Sequence, residues 1–394
     1  MHSTEPKKLT QFLARQLYDG FSDELHSEQL IEIENDRIAQ IRSATAQETR
    51  DPQIRGFDLV APGFIDLQIN GAGDRQFNFE PNAQTLDRIA RGARQGGTAY
   101  LLPTFITATG QDYQRAISAT RDAILSGISG ILGVHLEGPF LSHEKPGIHD
   151  PAAIRVMDEP DLDALASAKE VGIILLTVAS ENLPEGALAR LNASGVRVFA
   201  GHTDATADQI AQAESEGLVG VTHLFNAMSQ MTVREPGVVG ATFASKALYA
   251  GIIADGHHVD WRNVGLAARL MPNRLCLVTD AMLTLAGEVK KFELHGEHIA
   301  LENGRLTNAE GRLAGAHVSM IESVRNAIAH AGCSTVQALQ MATANPARAL
   351  GMETDVGMLR AGARASLTCL SQNLDVEAVM VNGIFPDEKP VKVI

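Results

Sequence analysis

The sequence predicts an α/β protein: a (β/α)8 barrel, or TIM barrel, joined to a small β domain built from both chain ends. The barrel is predicted because apolar runs rich in β-branched residues recur through the middle of the chain, with segments of helical apolar spacing between them. The β domain is predicted because both chain ends carry strand patterns without a long helical period between the strands.

The two chain ends show hairpin patterns. Residues 30–34 alternate between apolar and polar, Asn35 and Asp36 can form a turn, and residues 38–41 resume the alternation. Near the other end, residues 365–370 and 378–381 are typical of short strands, and Asn382-Gly383 is a strong turn signal. We therefore expect residues 1–60 and 350–394 to form one discontinuous β domain.

The middle of the chain carries eight strand-like runs. They are residues 63–69, 99–103, 131–136, 173–178, 196–200, 218–221, 249–254 and 275–278. Helical spacing occurs between them in residues 84–95, 111–126, 161–170 and 206–216. An open doubly wound sheet is the alternative. The count of eight favours a barrel over residues 61–349, because such barrels typically have about 250 residues plus insertions.

Composition limits the class of protein. The chain has 394 residues, of which 45% are hydrophobic, and this is enough to bury a large core. A net charge of -14 argues against nucleic acid or an anionic membrane as the main partner. No apolar run reaches the roughly 20 residues that span a bilayer, and no apolar run follows residues 1–8 as a signal peptide requires. Three widely spaced cysteines define no disulfide framework, so a reducing, cytoplasmic setting is expected.

Four ionisable residues stand at the ends of predicted strands. Glu137 ends the third run, and His202, His223 and Asp280 follow the fifth, sixth and eighth runs. An ionisable group at the end of a buried strand is costly unless it binds something. Any one of them alone is more often a hydrogen-bonded core residue. In a barrel, however, all four would meet at the end where catalytic groups lie.

These residue types permit metal-dependent hydrolysis. Two imidazoles and a carboxylate are a typical ligand set for a catalytic zinc ion, with a position left open for water. The metal lowers the pKa of that water from about 15.7 to about 7. Asp280 could then act as the base and the acid. Such a site hydrolyses an amide or a similar bond, but the spacing alone does not choose the substrate.

Further candidates lie near the same end of the barrel: Ile148 and His149 after the third run, Asn226 and Ala227 after the sixth, and His258 after the seventh. Arg234 lies in a loop after the sixth run. An arginine can bind a phosphate through two parallel hydrogen bonds, but a solvated loop charge is the alternative.

Several motifs together resemble the N-acetylglucosamine-6-phosphate deacetylases of the amidohydrolase superfamily. In chain order they are His-Leu-Glu-Gly-Pro-Phe at 135–140, Gly-His-Thr at 201–203, Thr-His-Leu-Phe-Asn-Ala-Met at 222–228, Arg-Glu-Pro-Gly at 234–237, Ala-Asp-Gly at 254–256 with His258, Val-Thr-Asp-Ala at 278–281 and Leu-Ala-Gly at 313–315. The resemblance extends from residue 62 to residue 348.

The resemblance implies a role for each candidate residue. Glu137, His202 and His223 would hold the metal, and Asp280 would be the catalytic acid and base. The substrate would be bound by Ile148, His149, Asn226, Ala227, Arg234, His258, Leu313, Ala314 and Gly315. The family is typically homodimeric, with the arginine at the position of Arg234 reaching the neighbouring subunit's phosphate, and it carries a small β-sandwich domain made from both chain ends.

We therefore expect the hydrolysis of N-acetyl-D-glucosamine 6-phosphate to D-glucosamine 6-phosphate and acetate. The alternatives are an amidohydrolase for another N-acyl amino sugar or a cyclic amide, and a scaffold without catalysis. Cyclic-amide hydrolases would not need Arg234, and a scaffold should have lost metal ligands. Gln68 and Asn70 stand where many amidohydrolases carry a His-x-His pair, so we expect one divalent ion per subunit, Zn²⁺.

Overall fold

The computed structural model describes residues 9–387. The expectation that residues 1–8 carry no signal peptide lies outside the described residues. None of the helices within residues 9–387 combines the length and the apolarity that a bilayer span requires.

The centre of the molecule is an eight-stranded parallel sheet that is nearly closed, which confirms the predicted barrel. Its strands are β5 (Phe64–Ile69), β8 (Thr98–Ile106), β9 (Gly133–Glu137), β10 (Ile173–Val178), β11 (Arg197–Ala200), β12 (Gly220–Val221), β13 (Tyr249–Ile252) and β14 (Leu275–Leu277). Each strand pairs with the next one in this order. A parallel bridge between Ile69 and Ala281 links the first strand to the end of the last.

Within residues 9–387, ten α-helices connect and surround the strands. They are α1 (Ala83–Gln95), α2 (Tyr113–Leu125), α3 (Glu159–Ser167), α4 (Ala187–Ala193), α5 (Ala207–Ser215), α6 (Gly237–Ala244), α7 (Trp261–Leu270), α8 (Met320–Ala331), α9 (Thr335–Ala342) and α10 (Ala344–Leu350). Short 3-10 helices occupy Glu48–Arg50, Pro151–Ala153 and Ser180–Asn182. The side chain of Asn82 caps α1 by accepting a hydrogen bond from the Thr85 N–H. Leu86, Ile89 and Ala93, at helical spacing, form its buried face.

The chain ends form a separate six-stranded sheet, as predicted. Its strands are β1 (Leu9–Leu17), β2 (His26–Glu34), β3 (Arg37–Ser43), β4 (Arg55–Pro62), β18 (Leu367–Leu370) and β19 (Val376–Met380). The order β19-β18-β4-β1-β2-β3 places C-terminal strands beside N-terminal ones. Phe12, Ile31, Val60 and Leu367 belong to its apolar core. This sheet fits the small β-sandwich domain that was expected.

A three-stranded antiparallel sheet follows the last barrel strand and was not predicted. It consists of β15 (Lys291–Leu294), β16 (Glu297–Glu302) and β17 (Arg305–Thr307). Leu294, Ile299 and Leu306 on its buried side pack in one cluster with Ile106 and Met282. A two-stranded ribbon, β6 (Gly71–Ala72) and β7 (Arg75–Gln76), follows the first barrel strand. The three-stranded sheet β15–β17 is an insertion after the last barrel strand, and its contact with Ile106 and Met282 places it over part of the barrel's C-terminal end.

Candidate active site

Glu137, His202 and His223 converge at the C-terminal end of the barrel. Glu137 is the last residue of β9, and each histidine follows the end of its strand by two residues. His223 Nε2 lies 3.0 Å from Glu137 Oε1 and 3.0 Å from His202 Nε2, and His202 Nε2 lies 3.3 Å from Glu137 Oε1. All three side chains are buried. The parallel strands β9, β11 and β12 of one sheet thus bring together residues that are far apart in sequence.

This donor set fits a divalent metal ion. Ligand atoms bound at about 2.0–2.1 Å to a tetrahedral ion are separated by roughly 3.3 Å, close to the separations here. His202 Nδ1 lies 2.9 Å from the carbonyl oxygen of Lys145 and donates to it, so its Nε2 keeps a lone pair for a metal. Two buried imidazole nitrogens that face each other at 3.0 Å need a cation or a shared proton between them.

His149 is a geometric alternative as a ligand. One atom each from Glu137, His149 and His202 also lie within 4.8 Å of one another. However, His149 Nε2 is 3.8 Å from Glu137 Oε2, whereas His223 Nε2 makes 3.0 Å contacts to both other residues. The shorter separations favour His223 as the third ligand and leave His149 in the wall beside the metal position.

The charges of these groups are set by burial and by one another. Burial raises the pKa of Glu137, but its hydrogen bonds with His202 and His223 outweigh this effect and lower the pKa well below its usual value. Burial also lowers the pKa of His223, yet the contact with Glu137 makes the net shift upward. Burial lowers the pKa of His149 well below its usual value, so this imidazole is neutral at pH 7.

Asp280 is placed beside the ligands by the closure of the barrel. Its N–H donates to the carbonyl oxygen of Gln68 at 2.8 Å. Its Oδ1 accepts hydrogen bonds from Asn70 Nδ2 at 2.7 Å and from Gln68 Nε2 at 3.1 Å, and Gln68 Nε2 also lies 3.3 Å from Glu137 Oε1. Burial and the charge of Glu137 raise the pKa of Asp280 to about 6. The Gln68 amide therefore connects the two carboxylates through hydrogen bonds, and the Asn70 amide adds a second hydrogen bond to Asp280.

Three of these four residues adopt left-handed backbone conformations. The φ angles are 48° at His202, 33° at His223 and 48° at Asp280. Such values are uncommon for residues other than glycine and concentrate at functional sites. In each case the turn lies just after a barrel strand.

A cavity of about 350 Å³ opens above these groups. It brings together most of the residues expected to bind substrate: Ile148, His149, Asn226, Ala227, His258, Leu313 and Gly315. His258 Nδ1 lies 2.7 Å from Asp255 Oδ2, and this contact fixes the orientation of its ring. Ala314 is fully buried in the cluster with Ile106 and Met282 and does not line the cavity.

Arg234 does not line the cavity of its own chain. It is exposed in the loop between β12 and α6. Two apolar neighbours in this loop are also exposed, Val233 at 99% and Met231 at 57%. Within this chain, Arg234 is therefore separated from the other site residues.

Two arginines in the cavity wall were missed by the sequence analysis. Arg305 begins β17, and Arg312 lies in the turn that follows this strand. The insertion itself was not predicted, so only the position of Arg312 directly before Leu313 could have pointed to it. Asn70 and Met282 also line the cavity.

A parallel barrel with a buried Glu-His-His set and a carboxylate at its strand ends is the architecture of a metal-dependent hydrolase. The family model for the amidohydrolase family matches residues 59–385, and the chain belongs to this family.

Named relatives agree with that class. N-acetylglucosamine-6-phosphate deacetylase of Haemophilus influenzae is 35% identical over 88% of this chain and 90% of its own. N-acetylgalactosamine-6-phosphate deacetylase of Shewanella sp. is 36% identical over 90% of each chain. The structure of a mutant N-acetyl-D-glucosamine-6-phosphate deacetylase from Mycobacterium smegmatis, in complex with N-acetyl-D-glucosamine-6-phosphate, superposes with a TM-score of 0.85 at 32% identity and covers 96% of this chain and 99% of its own. The protein described here is thus an enzyme that hydrolyses an amide bond.

Proposed function

We propose that the enzyme hydrolyses N-acetyl-D-glucosamine 6-phosphate to D-glucosamine 6-phosphate and acetate. The observation that carries this proposal is the meeting of Glu137, His202, His223 and Asp280 at one cavity, in a chain whose relatives include deacetylases of this sugar phosphate. The substrate specificity rests on those relatives, whereas the reaction type rests on the residues themselves.

The three ligands would hold one divalent ion, Zn²⁺. When bound, such an ion polarises the amide carbonyl and makes a water molecule more acidic. Asp280 accepts the proton of the attacking water and returns it to the amine that leaves. Its hydrogen bonds with Asn70 and Gln68 orient the carboxylate for this transfer.

His149 would bind a substrate hydroxyl group. The hydroxyl of Thr107 donates its hydrogen to the carbonyl oxygen of Glu137 at 3.2 Å. The hydroxyl oxygen of Thr107 therefore accepts a hydrogen bond from His149 Nδ1 at 2.8 Å. The Nε2 of this neutral ring then has a lone pair that can accept a hydrogen bond. The remaining wall would be supplied by His258, Asn226, Ala227, Ile148 and the segment from Leu313 to Gly315.

We also propose a homodimer in which Arg234 reaches the phosphate bound by the neighbouring subunit. Exposed apolar residues beside an arginine are typical of a protein interface. Val233 and Met231 supply that apolar surface next to Arg234. This arrangement explains why Arg234 is outside the cavity of its own chain.

We also propose a division of the chain into two domains. Sheet membership supports a β domain of residues 1–60 with 350–394 and a barrel of residues 61–349. We also propose that the enzyme acts in the cytoplasm. The cysteines of the described residues are buried and form no disulfide bond, in keeping with a reducing environment.

N-acetyl-D-galactosamine 6-phosphate is a second candidate substrate, because the relative from Shewanella carries that specificity at 36% identity. Acetate release from both sugars, with and without the 6-phosphate, tests the proposal. We expect turnover of the phosphorylated sugars and its loss on chelation of the metal. Equal turnover without the phosphate would refute the phosphate assignment, and no acetate from any N-acetyl sugar would refute the deacetylase.

A further inference from the structure

The three-stranded insertion brings two positive charges to the rim of the cavity. Leu306 anchors β17 because it is buried in the cluster with Ile106 and Met282. Arg305 precedes it in β17, and Arg312 lies at the end of the turn that follows the strand. Both arginines line the same cavity as Glu137 and Asp280.

The backbone of Arg312 is fixed. The N–H of Arg312 donates to Asn308 Oδ1 at 2.8 Å, and its carbonyl oxygen accepts from the N–H of Asn308 at 3.0 Å. Beyond Arg312, the N–H of Ala314 donates to the carbonyl oxygen of Leu306 at 3.2 Å, so the chain that leaves the turn is tied back to β17. This turn therefore holds Arg312 at a defined place on the rim.

The side chain of Arg312 lies near the reaction centre. Its Nη1 donates to the carbonyl oxygen of Gly147 at 3.4 Å. Gly147 itself lies against His202, because a Cβ atom at this position would be 2.9 Å from His202 Cε1. A single residue, Gly147, thus separates the guanidinium of Arg312 from a proposed metal ligand.

Most of the donors of these guanidinium groups stay available. The carboxylate near Arg312 is Glu310 at 3.4 Å, and an exposed pair of this kind contributes little. Arg305 Nη2 donates to the carbonyl oxygen of Gly311 at 3.3 Å, and no carboxylate of the described residues lies within ion-pair distance of it. Among the described residues that line the cavity, these two side chains carry the permanent positive charges, while the carboxylates belong to Glu137 and Asp280.

We infer that Arg305 and Arg312 form a cationic rim that contacts the phosphate monoester of the substrate from within the same chain. This inference rests on the proposed function and adds to the contact from Arg234 of the neighbouring subunit. The cavity would take the neutral N-acetyl group toward Glu137 and Asp280 and keep the dianion at the rim. In a protein with a net charge of -14, such a rim attracts the anionic substrate to the mouth of the cavity.

Steady-state kinetics on N-acetylglucosamine 6-phosphate and on unphosphorylated N-acetylglucosamine test the inference. Arg305→Met and Arg312→Met should each raise KM for the phosphorylated sugar by about tenfold, as expected for a hydrogen bond to a charged group. The double variant should be weaker still, with little change in kcat. Turnover of the unphosphorylated sugar should not change, and Arg312→Lys should recover part of the loss because it keeps the charge.

The matched control is the double variant Arg91→Met with Arg269→Met. These exposed arginines lie in the second halves of α1 and α7. Replacing both with methionine removes the same net charge as the rim double variant. In a (β/α)8 barrel those helix ends lie opposite the active-site end, so both KM values should stay unchanged. Equal losses on the two sugars in the rim variants, or no loss, would overturn the inference.

A binding measurement separates this inference from the proposed function. The affinity of glucosamine 6-phosphate relative to glucosamine is measured by calorimetry on the metal-loaded protein, without turnover. If the wild type binds the phosphate form more tightly but releases no acetate, the deacetylase proposal fails. If the preference for the phosphate form is the same in the wild type and the rim double variant, the cationic rim is refuted.

Discussion

At the scale of single residues, Asp280 combines two properties that suit proton transfer. It is buried, and its carboxylate is oriented by Asn70 and Gln68 rather than by a positive charge. Burial and Glu137 raise its pKa to about 6, which brings it toward the range where a general base works best at neutral pH.

We expect Asp280→Asn to keep the metal and to lose nearly all turnover. Asparagine has almost the same shape but cannot accept a proton, and general acid-base catalysis typically contributes about 10²- to 10⁴-fold. The check is kcat together with metal content, with Asp74→Asn as a control at an acid outside the cavity. A variant that retained most of its kcat would remove Asp280 from the mechanism.

The amides of Gln68 and Asn70 predict a single metal ion per subunit. Neutral amide oxygens are weak donors to zinc, and both side chains already hydrogen-bond to Asp280. Elemental analysis of protein loaded at low free metal should therefore give one tightly held ion per chain. Two tightly held ions, both needed for activity, would contradict this prediction.

His135 illustrates a residue that belongs to a motif without belonging to the site. It lies two positions before Glu137, but its ring nitrogens face Thr104 Oγ1 at 3.0 Å and Thr177 Oγ1 at 2.8 Å. Burial lowers its pKa to about 4, so the ring is neutral and structural. Residues two positions apart lie on the same face of a strand, so His135 shares the side of β9 that carries Glu137 but lies further from the C-terminal end of the barrel.

At the scale of elements, α3 depends on one buried carboxylate. Asp161 accepts hydrogen bonds from Arg155 Nη2 at 2.7 Å, from the hydroxyl of Tyr113 at 2.8 Å and from the N–H of Asp158 at 3.0 Å. Burial raises its pKa, but these donors, with Arg155 first, lower it to about 2. The carboxylate therefore stabilises the folded state in its ionised form.

We expect Asp161→Asn to destabilise the fold by roughly 2 kcal/mol at pH 7. Because the pKa of Asp161 is lowered in the folded state, this stabilisation is complete above its unfolded value of about 3.9. It is lost as the pH falls through about 2. Urea unfolding at several pH values should show the difference from wild type shrinking below pH 4.

The control for this prediction is Asp163→Asn on the same helix. Asp163 pairs with Arg190 on the surface, where its side chain is 71% exposed. A surface pair of this kind contributes little, so this variant should change stability by less than about 0.5 kcal/mol. Equal effects of the two variants would contradict the role given to Asp161.

The elements also show how far the sequence could predict the site. Glu137, His202 and His223 could be placed because each follows a clear apolar strand of the barrel. The contact of Gln68 with Asp280 joins residues 212 positions apart and depends on how the barrel closes. Arg305 could not be placed because β15–β17 are short, with few apolar residues to mark them.

At the scale of the whole molecule, the exposed position of Arg234 leads us to expect that each active site contains residues from two chains. We expect Arg234→Ala to weaken the binding of the phosphorylated substrate. If dimers form at random in an equimolar mixture of Arg234→Ala and Asp280→Asn chains, half are mixed, and each mixed dimer has one site with both groups intact. Acetate release should then recover to about a quarter of the wild-type value.

The control mixes Asp280→Asn with chains that carry both substitutions, because no dimer in that mixture has a complete site. Recovery in the first mixture but not in the second supports the shared site. Absence of recovery in both, with mixed dimers confirmed by mass spectrometry, would contradict it.

The left-handed backbone conformations at His202, His223 and Asp280 lower the thermal stability of the fold at residues that the proposed reaction needs. Each turn costs on the order of 1 kcal/mol or more, which glycine or asparagine would partly relieve. Asp280→Asn should therefore unfold at a temperature no lower than the wild type in the absence of metal, although it is inactive. Selection of variants for heat tolerance alone would accumulate replacements at these three positions. The barrel would then gain thermal stability while it lost catalytic activity.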